Sequence, residues 1–116
     1  NKILINKFLE FAAEILKLCK FPEETKKERI ISKQIIRSGT SIGANINESQ
    51  FGNSKSDFIA KLHISLKETA ETEYCLRLLY KSDYIDEKLF NSLLSDCLEL
   101  KRILISSINT AKSKNN

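Results

Sequence analysis

Residues 34–48 read QIIRSGTSIGANINE, and their composition and their spacing predict different structures. Gly, Ser, Thr and Asn are typical of a loop, and each interior glycine costs a helix about 1 kcal/mol relative to alanine. The spacing favours a helix, because isoleucines recur at positions 31, 35, 42 and 46, in steps of four, seven and four. These steps keep a 3.6-residue period through Gly39 and Gly43. We therefore predict that this stretch is the middle of a long core helix.

The composition favours a single all-helical domain. The chain has 116 residues with one Pro, three Gly and no Trp, and its net charge of +4 permits an acidic partner without requiring one. Cys19, Cys75 and Cys97 form no CxxC pair, which is typical of buried thiols in a reducing compartment. The sequence shows neither a membrane span nor the cleavage site of a signal peptide. We expect a cytoplasmic protein that does not contact a membrane.

Apolar stripes at helical spacing predict four helices, at about residues 2–20, 24–50, 55–81 and 86–112. Phe21-Pro22 ends the first helix, Ser54 is a candidate N-cap of the third, and either Asp83 or Asp86 is a candidate N-cap of the fourth. Because the connections are short, consecutive helices should run antiparallel. The predicted fold is all-α, an up-down-up-down antiparallel four-helix bundle formed by one domain over residues 1–116. The side chains predicted to point inward include Leu4, Phe8, Phe11, Ala12, Ile15, Cys19, Ile31, Ile35, Ser38, Ile42, Ile46, Phe58, Leu62, Leu66, Thr69, Leu76, Tyr80, Phe90, Leu93, Leu94, Cys97, Leu100, Leu104 and Ile108.

Basic residues follow the predicted outer side of helix two at steps of three, four and four, which gives a row about 16 Å long. We call this set the basic row: Lys26, Arg29, Lys33 and Arg37. Such a row suits a phosphate backbone, but without interleaved aromatic residues it does not indicate base stacking. The alternative is an ordinary solvated helix face. Lys101, Arg102, Lys112 and Lys114 form a second basic cluster with no acid after Glu99, which nucleic acid or a solubilising tail could explain.

The other sides of helix two predict packing and assembly contacts. Small residues on one flank allow close approach, either inside one bundle or between subunits; the set is Ile36, Gly39 and Gly43. Polar residues that could fix the register between helices are Ser41, Asn45, Glu48 and, on helix three, Glu73. A carboxylate on an apolar face needs a partner, so Glu73 should pair with Arg37, Gln34, Asn45 or a group on another subunit.

No combination of residues indicates catalysis, a cofactor or a metal. His63 is the only histidine, so neither a zinc set nor a Glu-x-x-His di-iron set can form. The glycines do not follow a strand as in a phosphate-binding loop. An enzyme is therefore the least supported class, and we predict a non-catalytic protein.

The chain resembles a bacterial family of four-helix bundle proteins related to those encoded in intervening sequences of 23S ribosomal RNA genes. The resemblance covers nearly the whole chain and rests on these residues: Phe21-Pro22, Glu28-Arg29, Gln34, Arg37, Ser41-Ile42, Asn45-Ile46, Glu48, Asp57-Phe58, Leu62, Ser65-Leu66, Glu68, Glu73-Tyr74 and Leu76. It implies a bundle that assembles into a homo-oligomeric ring, commonly a pentamer. It also implies a distant relationship to accessory variability determinant proteins of diversity-generating retroelements, which associate with a reverse transcriptase and with nucleic acid. The biochemical role of most family members is unknown.

Two functional hypotheses follow. The first is a self-assembling adaptor that binds RNA, DNA or a nucleoprotein partner such as a reverse transcriptase through the basic row. The second is a structural oligomer that scaffolds a protein partner and does not bind nucleic acid.

Overall fold

The computed structural model describes residues 2–21 and 29–114, with side chains over 5–18 and 29–114. This part of the chain forms four helices and no strand: α1 (Lys2–Phe21), α2 (Ile30–Ser49), α3 (Lys55–Lys81) and α4 (Glu87–Ser113). The close helix pairs are α1–α2, α2–α3, α3–α4 and α1–α4, so each helix packs on two neighbours. The predicted all-α four-helix bundle is confirmed, and the molecule measures 52 × 21 × 21 Å.

Apolar side chains from all four helices fill the centre of the bundle. The buried set is Phe8, Phe11, Ile15, Leu18, Ile35, Ile42, Ile46, Leu62, Cys75, Leu76, Leu79, Ile85, Phe90, Leu93, Cys97, Leu100, Leu104 and Ile108. Of the predicted inward residues, Leu4 and Cys19 lie outside the described side chains. Six others are half-buried at the margin of the core: Ala12, Ile31, Phe58, Leu66, Tyr80 and Leu94.

The start of α2 differs from the prediction. The sequence places it near residue 24, but residues 22–28 lie outside the described part, and Arg29 has φ −124° and ψ −29° and precedes the helix. Arg29 carries no side-chain acceptor for the free N–H groups of the first turn, and no side-chain hydrogen bond caps α2. The described helix therefore begins at Ile30.

The connections on either side of α3 end and restart the helices through local hydrogen bonds. Ser54 Oγ accepts from the Asp57 N–H at 3.1 Å, which confirms the predicted N-cap of α3. Of the two candidates for α4, Asp86 is the cap and accepts from the Leu89 N–H at 2.8 Å, whereas Asp83 is not. After α3, Asp83 takes φ 65°, the left-handed conformation that closes a helix C-terminus. The Tyr84 N–H then reaches the Leu79 carbonyl at 2.9 Å.

Candidate functional site

Three members of the basic row lie in the described part of the chain, and Lys26 lies outside it. Arg29 precedes α2, and its carbonyl accepts from the Lys33 N–H at 3.1 Å. Arg29 and Lys33 are exposed, and no ion pair of the described part of the chain includes either. Only these two described members of the row present a free charge.

Arg37 points toward α3, where two carboxylates neutralise it. Its Nη1 donates to Glu68 at 2.7 Å, and its Nη2 donates to Glu71. Glu68 and Glu71 are one helical turn apart and so share the face of α3 that meets α2. These hydrogen bonds, led by the one to Glu68, raise the pKa of Arg37. Arg37 thus joins α2 to α3, and its charge is not available to a phosphate.

Glu68 is the buried end of this cluster, and the sequence analysis assigned no site role to it. Its side chain is only 11% exposed. Burial alone would raise the pKa of Glu68, but hydrogen bonds with its neighbours, chiefly Arg37, outweigh burial and hold that pKa below the usual 4.5. The signal that could have found it is a pair of glutamates one turn apart on α3, opposite an arginine on α2.

Hydroxyl groups fill the α2–α3 contact next to that cluster. Ser65 Oγ donates to the Ile42 carbonyl at 2.9 Å, and Thr72 Oγ1 donates to Ser38 Oγ at 2.9 Å. Both hydrogen bonds are buried. The second gives the hydroxyl of Ser38 a partner, so a serine can occupy the core face of α2. Small hydroxyl side chains let the two backbones approach while every buried polar atom keeps a partner. These groups hold the helices together, and no nucleophile–base pair is formed.

The predicted polar flank of α2 makes contacts inside the chain. Asn45 Nδ2 donates to the Ser41 carbonyl at 2.9 Å and to Ser41 Oγ at 3.1 Å. Ser41 also hydrogen-bonds with the Glu68 carboxylate. Glu48 pairs with Lys61 of α3 at 2.8 Å. The flank therefore contributes to α2–α3 packing.

The partners predicted for Glu73 within the chain are wrong, since among the described residues it pairs with none of Arg37, Gln34 and Asn45. Glu73 pairs with Arg77, one turn further along α3, at 3.0 Å and with Lys101 of α4 at 3.5 Å. The reason is rotational: Glu68 and Thr72 occupy the side of α3 that faces α2, which turns Glu73 toward α4. Lys101 is consequently paired, whereas Arg102 is exposed and has no ion pair within the described ranges.

The glycine flank of α2 packs against α1 of the same chain. A Cβ on Gly39 would lie 3.0 Å from Ile15 Cγ2, and a Cβ on Gly43 would lie 3.6 Å from Phe8 Cβ. Gly39 is buried and Ile36 is half-buried. Of the two interpretations left open by the sequence, close packing inside the bundle accounts for Gly39. Gly43 is less enclosed and borders an open groove.

This apolar groove runs along the outer surface between α1 and α2, with a volume of about 540 Å³. Its lining consists of Ile5, Leu9, Ala12, Ala13, Leu16, Thr40, Gly43, Ala44 and Asn47. We call it the α1–α2 groove. Leu9 and Leu16 remain 65% and 50% exposed. The sequence prediction missed it, although a second apolar stripe on α1 at steps of three and four could have revealed it.

A groove between α1 and α4 is acidic. It is lined by Lys7, Glu10, Phe11, Glu14, Asp96, Glu99 and Leu100, and Lys7 pairs with Glu99 at 3.2 Å. Partial burial, together with the negative charges of Glu99 and Glu14, raises the pKa of Asp96. Within residues 2–21 and 29–114, no group of three His, Cys, Asp or Glu side chains is arranged to hold a metal ion. No helix in the same ranges is long and apolar enough to cross a membrane.

Comparison with known proteins agrees with this architecture. The family model of the 23S rRNA-intervening sequence protein matches residues 1–106. The chain belongs to this family. A solved relative from the S23 ribosomal protein family, a Bacteroides thetaiotaomicron protein of unknown function, is 50% identical. The match covers 90% of this chain and 97% of that one, with a TM-score of 0.89. No curated protein matches this member of the intervening-sequence family.

Proposed function

We propose that the protein is a non-catalytic bundle that self-assembles and serves as an adaptor for nucleic acid or a nucleoprotein. The observation that carries self-assembly is the α1–α2 groove. Leu9 and Leu16 lie seven residues apart on one side of α1, across from the small residues Gly43 and Ala44 of α2. A row of large side chains beside a row of small ones suits the packing of another helix.

The free energy of burying the α1–α2 groove favours a partner that covers its whole length, such as a second copy of the chain. Leu9 and Leu16 are 65% and 50% exposed, so burial of their remaining exposed surface contributes about 2–3 kcal/mol together. Association itself costs an estimated 4–15 kcal/mol, so two leucines alone do not hold a partner. A helix that covers the whole groove also buries Ile5 and the alanines. The family resemblance supports a ring of copies, commonly five.

The test of self-assembly is the mass of the protein in solution. The double variant Leu9→Glu/Leu16→Glu should be monomeric, because two carboxylates would be buried in the interface. The matched control is Ile64→Glu/Ile105→Glu, since these side chains are each 42% exposed, on α3 and α4. The control should keep the mass of the wild type. A wild-type monomer at all concentrations would refute self-assembly.

Association with nucleic acid is supported by the family resemblance and by the two exposed, unpaired members of the basic row, Arg29 and Lys33. A ring would repeat these weak contacts around its circumference and so raise the overall affinity. Arg29→Glu/Lys33→Glu should weaken binding to RNA or DNA, measured by fluorescence anisotropy at low salt. The control is Lys81→Glu/Lys88→Glu, which changes the net charge equally. No binding by the wild type at low salt would refute this part.

The second candidate function is a scaffold for a protein partner. It is favoured by the neutralisation of Arg37, which removes part of the surface predicted for phosphate. An oligomer that binds neither RNA nor DNA, yet recovers one protein such as a reverse transcriptase from nuclease-treated lysate, would favour it. For either function we place the protein in the cytoplasm, which the buried thiols of Cys75 and Cys97 support.

A further inference from the structure

A cluster of lysines that belong to no ion pair between described residues lies at one end of the bundle, away from the basic row. Because α3 and α4 are antiparallel, the start of α3 meets the end of α4 there. A groove of about 600 Å³ is lined by Lys55, Phe58, Ser106, Ser107, Thr110, Ala111 and Lys114. A second groove of about 340 Å³ shares Lys55 and is lined by Ser54, Lys55, Ser56, Ile59 and Lys112. We call the two together the α3–α4 end groove.

The charge of this end groove is not neutralised by nearby acids. Lys55, Lys112 and Lys114 take part in none of the ion pairs between described residues. Residues 100–114 contain no Asp or Glu, and Asp57 is the only acid in residues 51–58. Lys7, Lys17, Arg37, Lys61, Arg77 and Lys101, by contrast, each contact a carboxylate.

The chemistry of the end groove fits a sugar–phosphate backbone. Three ammonium groups surround it, and the hydroxyls of Ser106, Ser107 and Thr110 can donate to phosphate oxygens. An exposed aromatic ring lies close by: Phe51, in the connection that leads into α3, is 78% exposed. Lys55 is four positions further along the chain, so the Cα atoms of Phe51 and Lys55 are within about 14 Å of each other. Cations that follow a backbone beside an exposed ring are the pattern of proteins that bind single strands.

We infer that the α3–α4 end groove binds single-stranded nucleic acid, with Lys55, Lys112 and Lys114 on the phosphates and Phe51 stacked on a base. The inference rests on the proposed association with nucleic acid. It places the main contact with the nucleic acid at the end of the bundle, not on α2. Base stacking is sequence-tolerant, so binding should depend on strandedness more than on sequence.

The test compares two triple variants that remove the same charge. Lys55→Gln/Lys112→Gln/Lys114→Gln removes the end-groove cations, and Lys67→Gln/Lys81→Gln/Lys88→Gln is the matched control on exposed lysines elsewhere. Each phosphate contact on a single strand contributes about 0.7 to the slope of log K against log salt. Loss of three contacts should lower the slope by about 2 and weaken binding about 100-fold at ~0.1 M salt. Melting of both variants should match the wild type.

The ligands are unstructured single-stranded RNA, single-stranded DNA of the same sequence and the corresponding duplexes. The single strands should bind more tightly than the duplexes, and Phe51→Ala should weaken only single-strand binding, about tenfold. Comparison of RNA with DNA identifies which polymer is preferred. Equal losses in the two triple variants, or a duplex preference that Phe51→Ala leaves unchanged, would overturn the inference.

The outcomes separate this inference from the proposed function. If the wild type binds and only Arg29→Glu/Lys33→Glu loses affinity, the end groove is not the site, but association with nucleic acid stands. If the wild type binds neither RNA nor DNA at low salt, both are overturned.

Discussion

Replacement of Gly39 by alanine tests the close approach of α1 and α2. The new Cβ would lie 3.0 Å from Ile15 Cγ2, closer than side chains pack, and Ile15 is fully buried with a branched Cβ. Overpacking of this kind costs about 1–3 kcal/mol. The better helix propensity of alanine returns up to about 1 kcal/mol. The expected net loss is about 1 kcal/mol.

Gly43→Ala is the matched control on the same helix, since its Cβ would find an ordinary contact at 3.6 Å. It should gain about 0.5–1 kcal/mol from helix propensity alone. For 116 residues, 1 kcal/mol corresponds to a shift in Tm of about 4 °C. Because Gly43 also lines the α1–α2 groove, both substitutions are compared in the Leu9→Glu/Leu16→Glu background, in which no partner covers the groove. Thermal unfolding there should lower Tm by about 4 °C for Gly39→Ala and raise it by about 2–4 °C for Gly43→Ala. Equal shifts in the same direction would refute the packing argument for Gly39.

Three further predictions concern single side chains. Asp83→Gly should raise Tm, because Asp83 has φ 65° and glycine adopts that conformation without strain, whereas Asp83→Ala should lower it. Glu68→Gln should have a lower free energy of unfolding than the wild type in urea titrations. Because the pKa of Glu68 is lowered in the folded state, this difference in stability is fully present above pH 4.5. It shrinks as the pH falls through the pKa of the folded state. A constant deficit down to strongly acidic pH would contradict the role of its carboxylate. Burial raises the pKa of the Cys97 thiol to about 12, so Cys97 should react with iodoacetamide only on unfolding; rapid labelling of the native protein would be the contrary result.

The number and order of the helices could be predicted from the periodicity of apolar residues in the sequence. The isoleucines of α2 keep their period through Gly39 and Gly43, and that spacing outweighs the loop-like composition. Ser54 could be assigned as a cap, and the cap of α4 could be narrowed to Asp83 or Asp86, because a cap depends on residues only three positions apart. The start of α2 was harder to predict, because a periodic pattern of apolar residues does not mark where the first helical turn forms.

The ion pairs could not be predicted, since they depend on how each helix is rotated in the bundle. The apolar stripe of α3 alone predicts that the buried face of this helix is centred near Glu73. In the structure, serine and threonine line the side of α3 that contacts α2, and Glu68 lies on that side. Arg37 therefore meets Glu68, and Glu73 meets Lys101. For the same reason, the neutralisation of Arg37 in the basic row could not be predicted. Whether an arginine of α2 is paired depends on the residues of another helix, which is distant in sequence.

The most direct test of the central claim is multi-angle light scattering of the purified protein before and after nuclease treatment. The wild type should retain a mass several times the 13.3 kDa protomer after treatment, and lose co-purifying nucleic acid. Gly43→Leu, which places a side chain in the α1–α2 groove, should give a folded monomer. A wild type of one protomer mass, or a Gly43→Leu variant with unchanged oligomer mass, would contradict self-assembly through the groove.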